Sequence, residues 1–155
     1  MTFSPDAGLD GFAHEVRLHV FQRAAATTRV PQAPEIAEVM GRPLAAVQAA
    51  LHHLASNRVL TLAPNDGHIW AANPFCAVPS AFQVDVGDKR YRGICIWDAL
   101  GIAAALGADA RIHTSCGDCG DPLTLEVRQN RLVRQEGVIH FAVPARHWWD
   151  NIGFT

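Results

Sequence analysis

The residues Cys95-Ile96-Trp97-Asp98 set a thiol and a carboxylate three positions apart. If the segment is helical, that spacing puts both side chains on one face. A thiol in the first turn of a helix feels the positive end of the helix dipole, which favours thiolate. A neighbouring carboxylate pushes the other way. Such a pair can exchange a proton. Thiolate is a soft ligand, and Hg(II) is among the softest cations. One residue can therefore grip the metal while its neighbour hands a proton to a leaving carbon. The same spacing also fits a buried cysteine on an apolar helix with an aspartate turned to solvent, since free cysteine is among the most buried residue types.

A second group is Cys116-Gly117-Asp118-Cys119-Gly120. Its two thiols make Cys116 and Cys119 further metal candidates, in the manner of half a zinc ribbon. A closed zinc site needs two more ligands, and Cys76, His113 or His140 would have to supply them. A redox pair and a plain glycine-rich turn are the other readings. The pair Trp148-Trp149 follows His147, and aromatics this dense fill a core or wall a pocket.

The bulk numbers narrow the classes. The chain has 155 residues, 49% hydrophobic and 18% charged, which describes a folded globular protein. A net charge of −2 gives no general footprint for nucleic acid. No run of about 18 apolar residues suggests a membrane span, and Met1 to Asp10 does not read as a signal peptide. The expected location is the cytoplasm, where the four cysteines stay reduced.

These groups need elements to hold them. Apolar residues at Phe12, Val16, Val20, Phe21 and Ala24 predict a helix over 9–26. Pro34, the stripe Ile36, Val39 and Met40, and Gly41 predict a short second helix over 34–40. Leu44, Val47, Leu51 and Leu54 mark a third over 43–55. A strand over 58–62, the turn Pro64-Asn65-Asp66-Gly67 and a returning strand over 68–71 complete a winged-helix-like order. The would-be recognition helix holds no lysine or arginine, although Arg42 and Arg58 flank it, which counts against DNA contacts. Residues 72–80, with two prolines, read as a connection. A hairpin over 82–93, a buried alanine-rich helix over 95–106, and strands near 111–115, 122–128, 131–134 and 138–143 follow. The expected fold is α+β: a winged-helix-like domain over 1–72, then a small mixed or antiparallel sheet with a buried helix over 80–155.

Several of these segments, in order, resemble the alkylmercury lyase (organomercurial lyase) family. They are the hairpin Phe82 to Tyr91 leading into Cys95-Ile96-Trp97-Asp98-Ala99-Leu100, the strand Ala110 to Cys116, and the strand within Gly120 to Val127. The N-terminal helices resemble that family's winged-helix-like part. The resemblance covers most of the chain and is best over 58–128. It implies that Cys95 is the first catalytic cysteine and Hg ligand, that Asp98 handles the proton, and that Cys116 is structural; Cys119 has no counterpart. The family's second catalytic cysteine would follow the segment that Trp148 to Thr155 resembles, where this sequence ends.

The implied activity is protonolysis of a carbon–mercury bond to a hydrocarbon and Hg(II), with no cofactor but with external thiols. Mercurial binding is expected ahead of efficient turnover. The substrate would be an organomercurial, and mercuric reductase a possible recipient of the metal in mercury resistance. The alternatives are a non-catalytic heavy-metal binder or sensor on the same fold, and a winged-helix regulator.

Overall fold

The structure, a computed structural model, describes residues 11–133 and 137–152. Three helices open it: α1 (Gly11–Thr27), α2 (Ala33–Met40) and α3 (Leu44–Ser56). Each buries the stripe its periodicity marks: Val16, Val20 and Ala24 on α1, Ile36 on α2, and Val47, Leu51 and Leu54 on α3. Two expected stripe members stay out, since Val39 is 69% and Leu44 43% exposed.

Next comes a three-stranded antiparallel sheet of β1 (Thr61–Leu62), β2 (Ile69–Ala72) and β3 (Phe75–Cys76). Two expectations change here. The first strand is shorter than 58–62, because residues 57–59 are spent on ending α3. Asn57 and Val59 donate to the His53 and Leu54 carbonyls, and Arg58 sits at φ 61°. Residues 72–80 are not all connection. Asn73-Pro74 forms a tight reversal that brings Phe75 opposite Ala72 and Cys76 opposite Ala71, so a strand hides in a segment without periodicity.

The second half is a five-stranded antiparallel sheet in the order β5-β4-β6-β7-β8, with β4 Phe82–Val86, β5 Lys89–Gly93, β6 Ala110–Ser115, β7 Pro122–Arg128 and β8 Arg131–Leu132. The helix α4 (Ile96–Leu106) lies against β4, β5 and β6. Its Ala99, Ile102 and Ala103 are buried with Val84 and Ile112 of the sheet. Burying a residue such as Ile102 contributes on the order of 1.5–3 kcal/mol. Gly107 ends α4 in the left-handed conformation, φ 58°, where a side chain would be strained.

The strand expected over 138–143 does not form. That stretch is irregular, and its Phe141 ring packs on Trp97 and Trp148 rather than extending the sheet. A short 3₁₀ turn, Ala145–Asp150, follows. The architecture is α+β, with one contiguous cluster of buried apolar residues running from α1 through both sheets. No helix among the described residues is long and apolar enough to cross a membrane.

Candidate active site

The strand β5 and the helix α4 meet at Gly93. A Cβ there would lie 2.6 Å from the Ala99 nitrogen, so only glycine lets the strand end touch the first turn of the helix. The chain then turns through Ile94 into Cys95, which is the N-cap of α4 and not a residue of its first turn. The Cys95 carbonyl accepts the Ala99 N–H at 3.0 Å. Its sulfur makes no ordinary capping hydrogen bond, although the amides of Asp98 and Trp97 are near enough to favour the anion.

Asp98, one turn on, is 8% exposed. The Cys95 thiol donates to Asp98 Oδ2 at 3.6 Å, and Asn73 Nδ2 donates to Asp98 Oδ1 at 3.3 Å. Each carboxylate oxygen therefore has its own donor. Burial pushes the Asp98 carboxyl above its ordinary value, against the lowering pull of Asn73 and Cys95. Burial likewise pushes the Cys95 thiol up, and the Asp98 charge adds to that. This corrects the expectation of a dipole-lowered thiol: the helix amides do act in that direction, but withdrawal from water outweighs them.

Both side chains open onto a cleft of about 240 Å³. Its walls are largely aromatic: Trp97, Phe141, Trp148 and Trp149. Phe141 stands edge-on to Trp97 at 6.5 Å and tilted to Trp148 at 5.0 Å, while Trp148 Nε1 donates to the Val143 carbonyl at 2.8 Å. Arg58 borders the same cleft, its guanidinium 5.7 Å from the Trp149 ring centroid. The other arginine flanking α3, Arg42, stacks on Phe12 at 5.2 Å. Both arginines thus engage aromatics of their own chain. A larger concavity of about 680 Å³ lies over the charged face of the second sheet. Its Asp85 pairs with Arg90, and its Glu126 with Arg111 and Arg128, and it holds no thiol.

The remaining candidates do not line this cleft. Cys76 is buried, donates to the Val78 carbonyl at 3.3 Å, and has its thiol pushed up by burial. Cys116 and Cys119 sit on the turn between β6 and β7. The Cys119 and Asp118 amides hold the Cys116 thiol below its ordinary value. No group of three His, Cys, Asp or Glu among the described residues is placed to hold one metal ion, so His113 does not complete a site with the two thiols; it pairs with Asp85 at 3.0 Å instead.

Sequence reasoning missed Asn73, Arg58 and Phe141. Asn73 precedes Asp98 by 25 positions, and its one local sign was the turn-forming Asn-Pro pair. Phe141 falls where alternation predicts a strand.

The comparisons bear on this geometry. A family model described as alkylmercury lyase matches residues 75–155. Among solved structures, the crystal structure of the mercury-bound form of MerB2 is similar in fold, with a TM-score of 0.65 and 22% identity over 84% of this chain. The match covers 62% of the MerB2 chain, so this chain spans less than two thirds of that protein's length. No curated protein matches by sequence. The family match takes in more than half of the chain and contains the whole of α4 with Cys95 and Asp98; the chain belongs to the alkylmercury lyase family.

Proposed function

We propose that the chain binds an organomercurial cation R–Hg(+) at Cys95 and cleaves its carbon–mercury bond by protonolysis, with Asp98 carrying the proton. The observation behind this is the thiol of Cys95 donating to the buried Asp98 carboxylate at 3.6 Å inside an aromatic-walled cleft. Family membership supports the substrate class.

The chemistry follows from the two raised groups. A neutral thiol binds mercury only by losing its proton, and Asp98 is the nearest acceptor. Sulfur takes the metal, X⁻ leaves R–Hg–X, and Asp98 becomes the acid, a form that its burial favours. A second thiolate, R′S⁻, then coordinates mercury and raises electron density on the carbon. The Asp98 proton passes to that carbon. The products are R–H and Cys95–S–Hg–S–R′, and Asp98 is a carboxylate again. External thiol serves as R′S⁻ and then exchanges the metal off Cys95, for transfer to cellular thiols or to mercuric reductase. The aromatic walls suit an apolar R group.

Phenylmercury or methylmercury, incubated with the protein and excess thiol, should release benzene or methane. Cys95→Ser should abolish release while leaving the fold intact by circular dichroism. Absence of release at every thiol concentration sinks the catalytic reading. Stoichiometric loss of the Cys95 thiol to Hg(II), without hydrocarbon, would instead establish a heavy-metal binder.

A further inference from the structure

The pair Cys116 and Cys119 takes no part in that mechanism, yet the fold presents it in a defined way. The strands β6 and β7 close at Ser115 opposite Pro122. One step further, Cys116 N–H donates to the Asp121 carbonyl at 2.8 Å, and Gly120 N–H donates to the Cys116 carbonyl at 3.0 Å. The four-residue turn so formed curls back over Cys116. The Cys119 and Asp118 amides of that turn hold the Cys116 thiol below its ordinary value. One tight turn closed by backbone hydrogen bonds thus carries both thiols, with Cys119 exposed and Cys116 half-buried.

This geometry selects a ligand class. Structural zinc wants four ligands, and no third His, Cys, Asp or Glu among the described residues joins these two. A soft cation content with two sulfurs fits, and Hg(II) is the clearest case.

Placement adds to the argument. β5 and β6 both pair with β4, Gly93 opposite Phe82 and His113 opposite Gln83. They run in the same direction and end at the same end of the sheet. β5 leads there to Cys95, and β6 to Cys116. Strands two apart in a sheet are separated by about 10 Å.

We propose that Cys116 and Cys119 form a second soft-metal site, a surface dithiol that takes up one Hg(II) as a two-coordinate bis-thiolate without help from Cys95. The exchange balances as Hg(SR)₂ plus two cysteine thiols giving the protein-bound S–Hg–S unit and two RSH; nothing is oxidised. That the dithiol receives metal leaving Cys95 rests on the lyase reading, whereas the binding does not.

The test uses the full chain carrying Cys95→Ser, fully reduced, with Hg(II) supplied as its bis-glutathione complex. After desalting, one mercury per chain should remain, with a mass gain of one mercury less two hydrogens. Two of the three remaining thiols should no longer react with a thiol reagent. Adding Cys119→Ser, at an exposed position, should lower retention at least about tenfold, because the chelate's effective concentration is lost. Cys116→Ser should do the same. Metal retained equally by these variants, no retention by Cys95→Ser, or a mass loss of two hydrogens without mercury (a disulfide) each overturns the site. Hydrocarbon release does not enter this readout, so failure here is distinct from failure of the lyase reading.

Discussion

At the scale of the residue, Asp98 sets the terms. It is a carboxylate with little access to water, held by one amide and one thiol. Its folded value lies above the unfolded one. The stability that its neutral form confers is therefore present at acid pH and is lost as pH climbs through the raised folded value. Asp98→Asn removes the penalty of ionising in a buried place while preserving shape. The variant should melt higher than the wild type near neutrality. The gap should close once the pH falls below the ordinary carboxylate range, and release of hydrocarbon should be lost. Melting curves across pH check this; a gap that widens in acid would contradict the burial argument. Asn73 belongs to the same account. Its N–H favours ionised Asp98, so Asn73→Leu should move the acidic limb of the release-against-pH profile to higher pH. A merely structural role would lower the whole profile without moving the limb.

At the scale of the element, the site depends on how closely α4 approaches β5. Gly93→Ala places a Cβ 2.6 Å from backbone that cannot swing aside. The substitution should cost about 1–3 kcal/mol, and it should reduce hydrocarbon release by more than its stability loss alone accounts for, because Cys95 lies two residues on. Denaturant titration beside initial rates separates the two effects. The helices and the 82–93 hairpin were legible in the sequence because their apolar periodicity and turn residues are local. The Cys95–Asp98 pairing was legible because it spans one helical turn. The short strand at Phe75-Cys76 was not, since only its partner β2 makes it a strand. Nor was the aromatic wall, because Phe141 reaches Trp97 across more than forty positions and alternation suggested a strand instead. The balance between dipole and burial at Cys95 was equally out of reach, since spacing carries no information on access to water.

At the scale of the whole molecule, the helical half and the sheet half share a core. The buried Tyr91 of β5 sends its hydroxyl 2.7 Å to the Ala25 carbonyl in the last turns of α1, and its ring packs on Phe75 of β3 at 5.9 Å. Carbonyls at a helix end lack intrahelical donors, so this hydroxyl satisfies a group that the interface otherwise strands. The apolar cluster runs without a break across the same junction. Unfolding should therefore be one transition, seen together by helix-sensitive far-ultraviolet signal and by tryptophan fluorescence from the cleft. Tyr91→Phe keeps the ring contacts but leaves the half-buried Ala25 carbonyl without this donor, a cost of about 0.5–1.5 kcal/mol. Both probes should shift together to lower temperature. Two separated transitions, with only one moved by the substitution, would mean that the halves fold independently, and that Cys95 is held by the sheet and α4 without support from the N-terminal helices.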